Sequence, residues 1–471
     1  MQQIKGFIAG DNEGPSLASN HQRTVNMLVE IDQNQARTPT QLFGVFGLKK
    51  LATLGGLPVK GAIEVDGVGY AAMGQNFGRV NSDFEFEILG NYSGTARITL
   101  VSNGLQILVI DGLSGFVWDI AAATWTQITD PGFVYGATQA TYQDGYGIIA
   151  LPDSQQFGIS GLYDFMTWDA IDFASAEGLP DNVSTVISNH RVLHVFGTET
   201  LELWVNSGAA LFPFERIDGT FYDVGCIAPY SAAVADDSVF WLGGNAQGAK
   251  AVYRMQGQAP QRISTLALEA ELATYARLDD AFAVGIDIQR HPIYMISFPT
   301  AEKTWIYDAH SGQWTEILEW VGADWERYRM NCFARLYGRL TIGDYRDGRL
   351  YELSFDEDTN DGDPIRCLRI SPYIHSDGKR LFFSRLELMV QPGVGLPVGG
   401  IEGVEPEWCL RFSDDGYTWS NEMKQPMGRQ GKYLTRVAFN RLGSAFQRLF
   451  EVSTTAPVKR VLMGALLEVK S

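Results

Sequence analysis

SNGLQILVIDG, residues 102–112, contains a polar turn, an apolar strand and a second turn that ends in glycine. Other segments repeat this order, namely VDGVGYAAMG (65–74), QDGYGIIALP (143–152), SNHRVLHVFG (188–197), DDSVFWLGG (236–244), IQRHPIYMISFP (288–299) and RLYGRLTIGD (335–344). Continuous apolar runs bounded by turn residues are typical of strands covered on both faces, and TLELW (200–204) alternates with the period of two that a half-buried strand has. The repeat therefore predicts an all-β protein.

The spacing of the repeat indicates the architecture. Equivalent turns at Gly67, Gly104, Gly145, His190, Asp237, Arg290 and Gly338 are separated by 37, 41, 45, 47, 53 and 48 residues. A propeller blade of four antiparallel strands needs about 40 to 50 residues. We therefore predict a six- or seven-bladed β-propeller over residues 41–355. The alternative is an irregular β-sandwich with uneven strands.

Other regions depart from the repeat. The segment 261–280 has Leu and Ala at helical spacing after Ser264, which is suited to an N-cap, and it predicts a short helix inserted between two blades. The acidic stretch 356–365 is expected to be a linker, and the longer strands of 366–471 predict a C-terminal β-sandwich. Residues 1–40 are polar, lack a sustained period and are expected to form an N-terminal arm.

Composition argues against several classes of function. The formal net charge of −18 disfavours a nucleic-acid-binding surface, because binding to phosphate needs clustered lysine and arginine. No apolar run approaches the roughly 20 residues of a membrane span, and MQQIKGFIAGDNEGP lacks the apolar centre of a signal peptide. We expect an unexported protein without a membrane partner. Its widely separated cysteines, Cys226, Cys332, Cys367 and Cys409, are expected to be buried, reduced thiols.

SDDGYTWS, residues 413–420, resembles the Asp-box turn that recurs in sialidase propellers. The chemistry of that turn is structural: Asp415 accepts backbone N–H bonds, Gly416 takes a conformation costly to other residues, and Trp419 packs beneath. We interpret Ser413, Asp415, Gly416 and Trp419 as a hairpin turn without a catalytic role. The motif occurs once and beyond the repeat, whereas it recurs from blade to blade in sialidases.

No local pattern selects catalytic, cofactor-binding or metal-binding residues. DEDTNDGDP, residues 356–364, has the alternating oxygen ligands of a calcium loop, but Asp361 stands where glycine is required and Cys367 where glutamate is required. The histidines form no metal-binding motif, and the sequence motifs of nucleotide binding and acyl transfer are absent. We therefore predict that the protein is not an enzyme and holds neither cofactor nor metal.

Several segments, taken in order, carry a family resemblance. They are HQRTVNMLVEID (21–32), FGTETLELWVNSG (196–208), FPFERIDGTFYDVGCIAPYSAAVADDSVFWLGG (212–244), QRISTLALEAEL (261–272), YELSFDEDTNDGDPIRC (351–367), SDDGYTWS (413–420) and RLGSAFQRLFEVSTTAPVKRVLMGALLEV (441–469). This ordered set resembles the packaged-DNA stabilisation proteins of short-tailed bacteriophages, also called tail hub or head-closure proteins, and covers nearly the whole chain. The chain departs from the family in a shortened, glycine-rich first unit near FGLKKLATLGGLPVKG, so both blade numbers stay open.

The resemblance implies a structural protein of the virion tail that is assembled in the host cytoplasm. Such proteins form a homo-oligomeric ring, expected to be a hexamer, below the portal and its adaptor ring. They retain packaged DNA in the channel without sequence-specific binding. They also seat the tail needle or plug together with tailspikes or fibres. The acidic balance of the chain agrees with this role, because a lumen that repels phosphate lets DNA pass without sticking.

Two questions have alternative answers at this point. The protein is alternatively a glycan-binding or glycoside-cleaving propeller of a phage tail fibre, which repeated Asp boxes or paired carboxylates in a central pocket would support.

Within the predicted arm only RTVNMLVEI (23–31) has strand character. We predict that its residues Arg23, Val25, Met27 and Val29 bind a neighbouring subunit or the adaptor by strand addition. The equal alternative is that this strand completes the subunit's own propeller.

Overall fold

The computed structural model describes residues 1–31, 39–95, 97–175, 181–209 and 212–470, and its architecture is all-β. Over these residues, seven antiparallel sheets follow one another in a ring, which confirms the predicted propeller. Six of the sheets are each built from one stretch of sequence. The seventh takes its outermost strand from the segment that precedes the first blade.

The blades are numbered here in chain order. Their strands are Val59–Val65, Val68–Met73, Asn76–Val80 and Phe86–Asn91 in blade 1; Thr99–Ser102, Gln106–Ile110, Gly115–Asp119 and Thr124–Gln127 in blade 2; Ala140–Gln143, Tyr146–Ala150, Gln156–Gly161 and Asp164–Ser175 in blade 3; Val183–Asn189, Val192–Gly197, Leu201–Asn206 and Phe214–Tyr222 in blade 4; Gly225–Cys226 with Ala233–Ala235, Ser238–Gly244, Lys250–Gln256 and Ala259–Arg262 in blade 5; Phe282–Ile288, His291–Phe298, Lys303–Asp308 and Gln313–Glu316 in blade 6; and Met330–Leu336, Arg339–Asp344, Arg349–Ser354 and Gly47–Thr53 in blade 7.

Each turn that the sequence repeat identified joins the first strand of one blade to the second. Several of these turns have left-handed backbone at two successive residues, as at Asp66 and Gly67 (φ 48° and 75°) and at Asp144 and Gly145 (φ 51° and 98°). Positive φ at both central residues is the type I′ geometry, which matches the twist of paired strands. The repeat was therefore recognisable because a turn recurs at this place in every blade, and in five of the seven blades it has this left-handed geometry at two successive residues.

The C-terminal β-sandwich contains two sheets. One has the order Val437–Asn440, Leu381–Val390, Val461–Lys470, Thr40–Gly44 and Met27–Ile31, with Gln2–Gln3 and Ser444–Ala445 attached. The other has the order Thr24–Val25, Cys367–Ile370, Gln447–Thr454, Glu407–Ser413 and Met423–Pro426, with Ile374–His375 attached. Both sheets therefore include strands from the first 44 residues of the chain.

The structure differs here from the expected N-terminal arm at residues 1–40. Leu42 and Phe43 pair with Leu462 and Val461, and Val25 pairs with Leu368. The segment has apolar side chains to bury after all, since Phe7 is buried together with the sandwich core. The first strands thus complete the sandwich instead of extending from the subunit. Residues 32–38 of the expected arm lie outside the described residues.

The expected linker at 356–365 is also structured. Thr359–Asn360 and Asp363–Pro364 form a short hairpin, and Asn360 pairs with Leu48 beside blade 7. Two further hairpins are Asn12–Glu13 with His21–Gln22, and Leu318–Val321 with Asp324–Arg327. One hydrophobic cluster runs from the sandwich into blades 6 and 7. Propeller and sandwich therefore share a continuous core.

The inserted helix is shorter than the sequence pattern indicated. It spans Leu266–Leu272, between blades 5 and 6, and its N-cap is Thr265, whose hydroxyl accepts from the N–H of Leu268. Ser264 was predicted as the cap, but its hydroxyl instead accepts from the N–H of Val252 and contacts the Glu269 carboxylate. Further short helical turns are Pro229–Ser231 (3-10) and Ile401–Val404 (α).

Candidate functional site

The Asp-box turn has the internal hydrogen bonds expected of it. Asp415 Oδ1 accepts from the N–H groups of Tyr417 (2.8 Å) and Thr418 (2.7 Å) and from the Ser413 hydroxyl (2.9 Å). These bonds hold the pKa of Asp415 well below its usual range, because they stabilise the ionised carboxylate. Gly416 has φ 84°, a left-handed conformation that favours glycine. The Asp415 carboxylate is thus held in place by hydrogen bonds within the turn.

Beyond its internal bonds, the Asp-box turn contacts the N-terminal segment. His21 Nδ1 lies 3.1 Å from the Gly416 carbonyl oxygen, and its ring meets Trp419 edge-on with centroids 5.8 Å apart. A side chain at position 416 would collide with the Leu17 carbonyl and the Tyr373 hydroxyl. The turn therefore lies against Leu17 and His21, which gives it a structural role where the beginning and the end of the chain meet.

The residues predicted to bind a partner face the interior of their own subunit. Val25, Met27 and Val29 are at most 4% exposed, and Arg23 is half-buried. The alternative of strand addition to the subunit's own propeller holds in part, since Thr24–Val25 pairs with the last strand of blade 6 through Val25 and Glu316. Met27–Ile31 belongs instead to the sandwich. The error arose because apolar residues at alternate positions mark a buried strand without identifying the strand beside it.

A buried charge cluster links the N-terminal segment to blade 6. Arg23 binds Glu316 through two bonds of 2.5 and 2.9 Å, and Lys303 binds the same carboxylate at 2.9 Å. Burial alone would raise the pKa of Glu316, but the Arg23 and Lys303 charges outweigh it and lower that pKa to about 2. Arg23 thus holds the N-terminal segment to the propeller through a fully ionised partner.

Asp11 behaves differently within the same cluster. Its carboxylate accepts from the backbone N–H groups of Thr24 (3.1 Å) and Glu13 (3.2 Å), and it forms no ion pair with a cation of the described residues. Burial, together with the nearby charge of Glu316, raises the pKa of Asp11 to about 8. Burial therefore favours the protonated form of Asp11 more than it does for an exposed aspartate.

Arg369 completes this junction from the sandwich side. Its guanidinium is fully buried and donates to the backbone carbonyls of Gly6 (2.9 Å), Phe7 (2.8 Å) and Gly10 (3.1 Å), and also to Thr24 and Gln22. Desolvation lowers its pKa to about 10, still far above neutrality. The Arg369 guanidinium therefore supplies the hydrogen-bond donors that the buried backbone carbonyls of the N-terminal segment would otherwise lack.

Side chains from several blades meet on the axis of the propeller. Arg97, just before the first strand of blade 2, lies 3.6 Å from the ring centre of Phe282 in blade 6 and bonds to Asn331 in blade 7. The Tyr230 hydroxyl, from blade 5, donates to the Arg97 carbonyl at 3.4 Å. Blades 2 and 6 are not neighbours in the ring, so their contact crosses the axis. These contacts close the propeller where its first strands begin.

The sandwich ends in an exposed apolar surface. Two loops, 391–404 and 427–435, pack on each other there, with the N–H of Gly431 donating to the Gly393 carbonyl. Their outer residues, which we call the apolar tip, are Leu396, Val398, Ile401, Tyr433 and Leu434. Leu434 is 96% and Val398 is 83% exposed. Apolar residues grouped in this way mark contact surfaces more often than scattered ones do. Sequence reasoning missed the tip because its loops have no repeat.

Other candidate chemistry is restricted by the described residues. They contain no group of three or more His, Cys, Asp or Glu able to hold a metal ion. Among them no helix is long and apolar enough to cross a membrane. Cys226, Cys332 and Cys367 are buried and Cys409 is half-buried, and all four are free thiols. The single Asp-box turn lies in the sandwich, where it gives no support to a sialidase-like propeller.

The described residues form a β-propeller joined to a C-terminal β-sandwich through a shared core, and this combination defines the class of fold. Two family models match the chain: "Bacteriophage P22 Gp10, beta-propeller" over residues 5–358 and "Bacteriophage P22 Gp10, beta-sandwich" over residues 366–470. The chain belongs to this family of phage DNA stabilisation proteins. It is accordingly a structural protein of the virion, and this agrees with the prediction of a non-enzymatic role.

Comparisons beyond the family are less informative. No curated protein matched the chain. Among solved structures, a streptogramin B lyase is 10% identical with a TM-score of 0.43, covering 66% of this chain and 98% of its own. The N-terminal domain of Nup159 is 11% identical with a TM-score of 0.41, covering 70% and 98%. The extracellular domain of BT4673 from B. thetaiotaomicron is 10% identical with a TM-score of 0.44, covering 82% and 48%. At these TM-scores the likenesses carry no argument about function.

Proposed function

We propose that this chain is the subunit of a tail hub, a ring that prolongs the portal channel and retains packaged DNA. In this proposal the ring is a hexamer in the virion tail, assembled in the host cytoplasm. It binds the portal adaptor ring on one side. On the other side it seats the tail needle or plug, together with tailspikes or fibres.

The closed axis of the propeller is the observation that carries the proposal. DNA cannot pass a point where the Arg97 guanidinium lies 3.6 Å from the centre of the Phe282 ring. A protein of this family that surrounds DNA must therefore do so between subunits and not through its own propeller. The net charge of −18 supports such a lumen, because an acidic wall does not hold the phosphate backbone.

The rigid connection between propeller and sandwich supports a ring as well. The shared core, the Arg23–Glu316 pair and the Arg369 contacts fix one part against the other. A closed ring repeats one heterologous contact around its axis, and a subunit that bends between its parts would not close reliably. We propose that the apolar tip contacts a second copy of the chain in this ring.

Sedimentation of the purified protein, with and without its adaptor ring, tests the proposal. The double variant Val398→Ser and Leu434→Ser removes the most exposed apolar side chains of the tip and should shift the ring equilibrium toward monomer by at least about tenfold. The control is Leu105→Ser with Leu162→Ser, at exposed positions on propeller turns, which should assemble normally.

Three results are distinguishable. Loss of the ring in the tip variant alone supports the whole proposal. Equal assembly of both double variants would remove the tip as the contact while leaving the hub intact. If the unmodified protein forms neither a ring nor an adaptor complex by sedimentation and negative-stain imaging, the hub proposal is wrong.

A further inference from the structure

Two arginines at the closed end of the propeller axis lack acidic partners. Arg97 donates to the side-chain and backbone oxygens of Asn331, which are neutral. Arg327 is 7% exposed, and its Nη1 is buried without a hydrogen-bond partner within the described part of the chain. No carboxylate of the described residues lies within ion-pair distance of either guanidinium. The Glu302 carboxylate accepts a hydrogen bond from the backbone N–H of Arg327 at 3.3 Å and forms no hydrogen bond with the Arg327 side chain.

The two guanidinium groups are held near each other by aromatic rings. The guanidinium carbons of Arg97 and Arg327 lie 3.6 and 6.0 Å from the centre of the same Phe282 ring. Tyr345 also packs against Arg327, at 3.5 Å, and Tyr230 lies 5.9 Å from Arg97. Aromatic faces stabilise cations but accept no strong hydrogen bonds, so they orient the arginines and leave N–H donors available.

The geometry points to an oxyanion-binding site on the propeller axis, in which Arg97 and Arg327 bind a phosphate group that is free or carried by a mononucleotide. Each terminal nitrogen of Arg97 uses one hydrogen on Asn331 and keeps a second, and Arg327 Nη1 has no partner among the described residues. These remaining N–H groups are the donors that match the oxygens of a phosphate. A single anion between two cations would also supply the hydrogen-bond acceptor that Arg327 Nη1 lacks. The site takes a small ligand, because the same contacts that build it close the axis to a duplex.

The electrostatics of the pair agree with this geometry. Burial lowers the pKa of Arg97 to about 10, and the positive charge of Arg327 contributes in the same direction. Burial also lowers the pKa of Arg327. Both groups remain charged at neutral pH, and the nearest carboxylates to Arg327, those of Glu302 and Asp344, offset its desolvation without forming an ion pair. A bound anion would offset part of the desolvation cost that remains.

Calorimetric titration of the full chain with inorganic phosphate, in chloride buffer of matched ionic strength, tests the site. We expect saturable binding of one phosphate per chain, and a loss of at least tenfold in affinity in Arg97→Gln. Arg277→Gln is the matched control, since Arg277 is exposed and its charge is paired with Asp279. Circular dichroism of each variant establishes that the fold is retained.

A second arm uses a deoxynucleoside monophosphate in place of inorganic phosphate. Tighter binding of the nucleotide identifies the ligand as a nucleotide phosphate, and equal or weaker binding identifies it as the free ion. If Arg97→Gln does not fold, the fallback variant is Arg97→Lys, which keeps the charge but loses the planar guanidinium. A loss of about tenfold in phosphate affinity would support a guanidinium contact. A loss of less than threefold would mean that Arg97 acts only as a point charge. Absence of saturable binding up to about 10 mM, or equal binding by Arg97→Gln and wild type, overturns the proposal.

Discussion

Replacing Arg369 by methionine should destabilise the junction between the N-terminal segment and the sandwich. The substitution leaves the carbonyls of Gly6, Phe7 and Gly10 without their donor. A hydrogen bond from a charged donor contributes about 1.5 to 3 kcal/mol, and an unsatisfied buried carbonyl costs about 1 to 3 kcal/mol. Against this, methionine no longer requires burial of a cation, whose cost is visible in the lowered pKa of Arg369. We expect a net loss of about 3 to 5 kcal/mol in the free energy of unfolding.

The assay is denaturant unfolding followed by near-ultraviolet circular dichroism, with proteolysis as a local readout. The N-terminal 22 residues should become accessible to protease at denaturant concentrations where the rest of the chain is still folded. Arg380→Met is the control, because Arg380 is exposed in the same sandwich and contacts Ser444 and Phe446 at its surface. A loss in Arg369→Met within about 0.5 kcal/mol of the control would refute the reasoning. The carbonyls would then have found other donors.

Three more perturbations have defined outcomes. Asp11 has a pKa raised to about 8 in the folded chain, above its pKa in the unfolded chain. The contribution of Asp11 to the free energy of unfolding is therefore fully present below about pH 4 and is lost as pH rises through about 8. Asp11→Asn should flatten the pH dependence of thermal unfolding in that range, and an unchanged profile would exclude Asp11 as its source. Ser413→Ala removes a buried hydroxyl that bonds Asp415 and Gly416, and should lower the free energy of unfolding by about 1 to 2 kcal/mol in denaturant titration; no loss would mean that these bonds do not stabilise the turn. Thr265→Ala should cost about 1 kcal/mol through loss of the helix cap, and no loss would mean that the cap bond is not formed.

The sequence predicted the propeller because its defining signal is local. Asp66 with Gly67 and Asp144 with Gly145 specify tight turns by their own backbone preferences, and apolar runs on either side specify the strands. The same holds for the Asp-box turn, since Asp415 bonds residues only two and three positions away. Patterns of this kind are complete within a few residues, and they can be interpreted without knowledge of the rest of the fold.

The junction and the axis could not be predicted in this way. RTVNMLVEI was recognised as a strand, but its neighbours in the sheet come from the C-terminal part of the sequence. Nothing near Arg369 or Arg97 indicates that one binds N-terminal carbonyls and the other crosses the propeller axis. Their roles depend on contacts with residues that are distant in the sequence. A single sequence contains no local pattern that identifies such contacts.

The pairing of Thr40–Gly44 with Val461–Lys470 has a consequence for biosynthesis. A ribosome adds about 5 to 20 residues per second, so these two strands emerge on the order of a minute apart. Throughout that interval Met27, Leu28 and Val29, buried in the finished subunit, can pair only with Thr40–Gly44, because the rest of their sheet comes from the C-terminal part of the sequence. The nascent chain must therefore carry this pair of strands without the sandwich that covers its apolar side chains while seven blades form, and chaperone dependence should be greatest for translation products that stop short of residue 461.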